Sequence, residues 1–199
     1  SWPLGGGRPP PVPREFRAAW VASVAHIDWP SRPGLGTHAQ RAEMHTLMDR
    51  AQAIGLNALV LQVRPAADAL YTSALEPWSE VLTGVSGQPP DEPWDPLTEW
   101  VDGAHRRGLE LHAWFNPYRA RHPSARSEPA PTHVAQAEPA IVKRYGDFLW
   151  MDPAEPRAAQ RMVDVVLAVL RRYDIDGVHI DDYFYPYPVP DGQGGELPF

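Results

Sequence analysis

The chain has 199 residues, a length suited to one domain or most of one, and 43% of them are apolar, which argues against wholesale disorder. Its net charge of −7, with acidic and basic residues interleaved, argues against nucleic acid as a partner, because a phosphate backbone calls for a basic face. The absence of cysteine rules out disulfides and thiolate chemistry, and no run of about 20 apolar residues is present to span a membrane.

Residues 1–13 (SWPLGGGRPPPVP) read as a Gly/Pro-rich linker. A start at Ser1 rather than Met fits an upstream secretory signal or lipid anchor, and so a membrane tether. Residues 14–199 read as the folded part. The first apolar run, 16–22 (FRAAWVA), reads as a buried strand and leads into VAHIDWP, which carries His26, Asp28 and Trp29. Residues 38–54 place Met44, Leu47, Met48, Ala51 and Ile54 at helical spacing, with Gly55 as a stop. A second strand, 58–63 (ALVLQV), precedes RPAADALY, with Asp68 and Tyr71. Helical spacing returns over 96–107, through Leu97, Trp100, Val101 and Ala104, and stops at Gly108. The third strand is 109–115 (LELHAWF). The longest helix is expected over 155–173, with Met162, Val165, Val166, Val169 and Leu170 on one side and Asp152-Pro153 as its start signal. The fourth strand, 177–181 (GVHID), runs into DYFYPYP.

Strands alternating with helices, the strands nearly continuous in apolar character, indicate a parallel sheet covered by helices, an α/β fold. The helix-to-strand connections are short, whereas those after the strands (23–37, 64–95 and 116–152) are long. In a βα-barrel the loops after the strands build the active site, so this asymmetry predicts an active face at the C-terminal ends of the strands.

Side-chain alternation sorts each strand into two faces. Leu59, Leu61 and Val63, then Leu111, Ala113 and Phe115, then Val178 and Ile180, form the face expected to meet helices. Gln62, Arg64, His112, Trp114, Asn116, His179 and Asp181 form the other, and its polar members Gln62, Arg64, His112, Asn116, His179 and Asp181 are expected to converge. Asp181, at a strand's C-terminal end, is the expected nucleophile or charge stabiliser at a sugar carbon, and Asp182 is a second catalytic candidate. Arg64 is expected to keep the aspartate ionised. Gln62, Arg64, His112, Trp114, Asn116, Tyr118, His179, Tyr183, Asp28 and Trp29 are expected to bind substrate. Trp78, Tyr185 and Tyr187 add further stacking surfaces. An alternative takes His112, His179 and Asp181 as zinc ligands, though no tight His-x-His spacing supports it. Another is a non-catalytic glycan-binding or scaffold protein. The leading reading needs no metal and no cofactor.

Four stretches, FRAAWVASVAHIDWPS, LQVRPAADALYTSALEPWSEVLTG, WDPLTEWVDGAHRRGLELHAWFNPYR and DGVHIDDYFYPYP, resemble the glycosyl-hydrolase-like 10 family of bacterial envelope proteins. The resemblance implies a TIM-type (β/α)8 barrel acting on a glycan polymer, with peptidoglycan sugar strands as the substrate, and export to the cell envelope or beyond as a lipoprotein or secreted protein. GVHID is also similar to the fourth-strand pattern of α-amylase-like barrels, whose matching aspartate is the nucleophile. An eight-stranded barrel takes about 250 residues, and only the first four βα units are read here. The expectation is therefore a half-barrel, inactive alone, with the general acid on the half not present. Its open faces would invite self-association.

Overall fold

A computed structural model describes residues 15–199, so the linker reading of 1–13 lies outside the described residues. In chain order the elements are β1 (Ala18–Val21), α1 (Thr37–Ala53), β2 (Ala58–Arg64), α2 (Glu80–Thr83), α3 (Pro96–His105), β3 (Glu110–Phe115), β4 (Arg119–Arg121), α4 (Val134–Ala137), β5 (Val142–Tyr145), β6 (Phe148–Met151), α5 (Pro156–Arg172) and β7 (Gly177–Ile180). The strands β1-β2-β3-β7 form one parallel sheet in that order. These are the four strands read from the sequence, and α1, α3 and α5 are the three helices.

One face of the sheet is closed by those helices. Leu59, Leu61, Val63, Leu111, Ala113 and Phe115 pack into a core with Met44 and Met48 of α1, Trp100 and Val101 of α3, and Val165 and Val169 of α5. The helix starts differ from expectation at α5. Glu155 is the N-cap and Pro156 occupies the first turn, while Asp152 instead accepts from the Ala154 amide and pairs with Lys143.

The cover is incomplete in two places. On α5, Val163, Leu167 and Leu170 are exposed at i, i+4, i+7 spacing, and Val178 and Ile180 of β7 are exposed as well. On the opposite face of the sheet, Trp20 is 65% exposed and Phe16, just before β1, is 58% exposed. Both are surfaces that further βα units of a barrel would cover, so the fold is the first four-unit portion of a TIM-type barrel.

The long connection after β3 is not an irregular loop. It holds a second, antiparallel sheet of order β4-β6-β5 over a small core of Ala67, Ala120, Val134, Ile141, Met151 and Ala158. Its hairpin turns at Gly146-Asp147, between the paired Tyr145 and Phe148, with Gly146 at φ +57 as such a tight turn requires.

Candidate active site

Strand register brings the candidate residues into layers. Val60, His112 and Gly177 lie side by side in one layer, and Gln62, Trp114 and His179 in the next. Asn116 and Asp181 each follow one residue beyond the ends of β3 and β7. Regular pairing thus carries Asn116 and Asp181 to the same end of neighbouring strands.

There the Asp181 carboxylate accepts three N–H donors. Trp114 Nε1 donates to Oδ2 at 2.8 Å, Asn116 Nδ2 reaches both oxygens at 3.2 and 3.3 Å, and the Tyr183 amide donates to Oδ1 at 3.3 Å. Asn116 is itself fully buried, and its Oδ1 accepts from the Arg119 amide at 2.8 Å. The carboxylate is therefore oriented by groups that are themselves held, as a nucleophile or charge stabiliser requires. The His179 ring meets the indoles of Trp20 and Trp114, at 6.0 and 5.8 Å.

Other candidates lie elsewhere. His112 is four residues before Asn116, about 13 Å down the strand at roughly 3.3 Å per residue. It pairs with Glu110 at 2.9 Å and rests on Gly177, where a Cβ would fall 2.4 Å from its Nδ1. It is thus outside the Asp181 cluster. Among the described residues no three His, Asp or Glu side chains gather as a metal site, so the zinc-ligand alternative of His112, His179 and Asp181 does not hold.

Arg64 is a further correction. The pairing of β2 with β3 slips between Gln62 and Arg64, a bulge through which strict alternation does not carry. Arg64 is fully buried and forked onto Glu76, Nε to Oε2 at 2.7 Å and Nη2 to Oε1 at 2.5 Å, while Nη1 donates to the carbonyls of Asn116 and Pro117. It is an internal brace, fully buried with all three of its nitrogens engaged within the protein. Gln62 is also fully buried. Its Oε1 accepts from the amides of Ser23 and Val24, which ties the loop after β1 to β2.

Trp29 is no stacking platform. It is fully buried, packs edge-on against Trp100 at 5.3 Å and donates to the Gln40 carbonyl. Asp28 accepts from the Ala22 amide at 2.8 Å and so shapes that turn. Trp78 packs against the core, and Tyr71 is buried edge-on to Tyr173. Tyr118 meets Phe184 at 6.2 Å, on the loop after β7, and Asp182 is exposed.

Two further polar residues lie near the site: Asp68, noted in RPAADALY from the sequence, and Arg119, which was not singled out there. Arg119, on β4, is buried to 7% exposure and donates from Nε to the Pro65 carbonyl. Burial pushes its guanidinium below the ordinary arginine range, against the pull of the Asp181 and Asp68 carboxylates. Asp68 is buried too, which pushes its carboxyl above the usual range, with Ser79 and His133 opposing. Around these residues Ala25, His26 and Ala67 hold φ of 54, 56 and 53, a left-handed backbone rare outside glycine. Local strain therefore collects in the loops after β1 and β2.

The sequence profile described as "Glycosyl hydrolase-like 10" matches residues 15–194. The chain belongs to this family. It is 45% identical over 186 residues to the "Glycosyl hydrolase YngK" of Bacillus subtilis (strain 168), covering 93% of this chain and 36% of that protein. It is 33% identical over 205 residues to the "Glycosyl hydrolase DigH" of Escherichia coli (strain K12), covering 92% of this chain and 46% of that one. The chain thus spans less than half the length of these relatives. Among solved structures, the α-L-fucosidase isoenzyme 2 of Paenibacillus thiaminolyticus aligns with a TM-score of 0.54 at 14% identity, over 83% of this chain and 23% of that one. The maltogenic α-amylase AmyB of Thermotoga neapolitana aligns with a TM-score of 0.50 at 13% identity, over 88% and 40%. At such identities the likeness is one of fold.

Proposed function

We propose that the whole protein is a glycoside hydrolase acting on the sugar strands of the bacterial cell wall, with Asp181 as nucleophile or stabiliser of an oxocarbenium-like transition state. The observation that supports this most is the Asp181 carboxylate at the C-terminal end of a barrel strand, oriented by Trp114 Nε1, Asn116 Nδ2 and the Tyr183 amide. Trp114, His179 and Tyr183 supply the aromatic surface against which a pyranose ring stacks. A partner acid is needed to protonate the leaving oxygen. We place it on βα units beyond the four described, so the 199-residue chain alone is expected to hydrolyse little or nothing.

The reading includes export to the cell envelope or outside it, with an N-terminal tether as the means of attachment. Among the described residues no helix is long and apolar enough to cross a membrane. It also includes self-association of the isolated chain through the open face carrying Trp20 and Phe16.

Release of sugar ends from peptide-free glycan strands, by the protein at the length of its relatives and by its Asp181→Asn variant, tests the assignment. The variant is expected to lose at least about 10²-fold in rate, the scale on which a positioned reacting group contributes. Full activity in the variant removes Asp181 from the mechanism.

One observation favours a second reading. A carboxylate that already accepts three N–H donors also suits a structural role, with the aromatic residues binding glycan and no turnover. Binding of the strands by the full-length protein without any product would support that reading.

A further inference from the structure

Between the small sheet and the loop after β7 lies a cavity of about 370 Å³, within the range of small-ligand pockets. Its walls include Phe148, Trp150, Tyr183 and Tyr187, and its polar lining includes Arg119 and His122. The loop forming one wall is anchored to the sheet, since Trp150 Nε1 donates to the Phe184 carbonyl at 2.9 Å and the Val189 amide donates to the Tyr145 hydroxyl. Tyr183 and Tyr187 meet edge-on at 4.9 Å, and His122 meets Phe148 edge-on at 5.5 Å.

The two basic residues present donors without acceptors. Arg119 is buried, yet only Nε is used by its side chain, toward the Pro65 carbonyl. Its terminal nitrogens make no hydrogen bond, and it forms no ion pair, among the described residues. His122 Nδ1 accepts from the Ser124 amide at 3.1 Å, so the neutral ring carries its proton on Nε2, which has no partner among the described residues. Burial and the neighbouring Arg119 keep that ring below the ordinary imidazole range, hence neutral near pH 7. A buried cation with open donors is costly unless something pairs with it. Arginine's planar fork matches a carboxylate in geometry and charge.

We infer that this cavity is a subsite for a sugar ring carrying a carboxylate, with the terminal nitrogens of Arg119 clamping the acid, His122 Nε2–H assisting, and Tyr183 and Tyr187 stacking on the ring. The inference rests on the glycan reading for its sugar and on Arg119 for its charge. It places the cavity beside the proposed reacting centre, because Tyr183 both lines it and donates its amide to Asp181.

NMR titration of the 199-residue chain tests it with N-acetylmuramic acid, whose carboxylate is on an ether substituent, with glucuronic acid, whose carboxylate is on the ring, and with neutral N-acetylglucosamine. At least one acidic sugar is expected to bind about tenfold tighter than the neutral one and to shift Tyr183 and Tyr187 signals. Which acid does so identifies the source of the carboxylate. Methyl esterification of that ligand should abolish the preference on the unaltered protein, where folding is not in question, and Arg119→Gln should abolish it likewise. Equal affinity for acidic, esterified and neutral sugars overturns the inference, as does an unchanged preference in a folded Arg119→Gln. Hydrolysis that depends on Asp181 without any carboxylate preference defeats the subsite alone. A carboxylate preference together with full activity in Asp181→Asn defeats the catalytic assignment alone.

Discussion

Arg64 and Arg119 occupy the same end of the sheet and both are buried, yet their guanidinium groups have opposite surroundings. Arg64 is forked onto Glu76, and Arg161 adds a second cation to the same carboxylate at 3.2 Å. Arg119, whose Nε reaches the carbonyl of Pro65 next to Arg64, leaves its terminal nitrogens open toward an aromatic cavity. A closed pair resists disturbance and contributes nothing to recognition. An open cation offers donors that an arriving anion would satisfy. The difference separates brace from site more sharply than residue type or burial does.

The largest effect is expected from breaking the closed pair. Glu76→Gln leaves the Arg64 charge buried without its carboxylate, and about 3–5 kcal/mol of stability should be lost in denaturant unfolding. Burial alone would raise the Glu76 carboxyl, but Arg64 and Arg161 outweigh it and hold it below the usual carboxylate range. A carboxylate lowered in the folded state stabilises fully above its unfolded value of about 4.3. That contribution fades as pH falls through the lower folded value. The acid limb of the stability curve should therefore flatten in Glu76→Gln. An unchanged limb would mean that the pair is not what holds the chain together in acid.

A middle effect is expected at the open arginine. Arg119→Gln removes one charged hydrogen bond to the Pro65 carbonyl, worth about 1.5–3 kcal/mol. It breaks no ion pair, so it should cost less than Glu76→Gln in the same unfolding experiment. Equal losses in the two variants would show Arg119 to be as much a brace as Arg64.

The contrast also marks where the sequence was legible. The four strands and three long helices follow from apolar periodicity, and the meeting of Asn116 with Asp181 follows from alternation along two regularly paired strands. Arg64 defeats the same rule because a bulge lies between it and Gln62. Trp29 was misread because its neighbours Trp94 and Trp100 are distant in sequence, and only tertiary packing draws it inward. The small sheet had a local signal in Gly146-Asp147 between VKRY and FLWM, a two-residue hairpin turn flanked by strand-like runs. Arg119 had none, since its place depends on that sheet folding back over the end of β2.

The smallest effect is expected at Asp182, next in sequence to Asp181 but exposed, with no hydrogen bond to its side chain among the described residues. Its visible influence is electrostatic. It and Tyr183 raise the Tyr187 phenol above the ordinary tyrosine range, with Asp182 the larger cause. Asp182→Asn should change stability by no more than about 0.5 kcal/mol, as surface substitutions do. It should also lower the Tyr187 titration toward 10, read by ultraviolet absorbance against a Tyr187→Phe reference. A phenol that does not move would place the Asp182 charge away from the cavity wall, whereas a large loss of stability would show that Asp182 holds the loop after β7 in place. Neither result would move the proposed role from Asp181, whose carboxylate is the one of the pair held by Trp114, Asn116 and the Tyr183 amide.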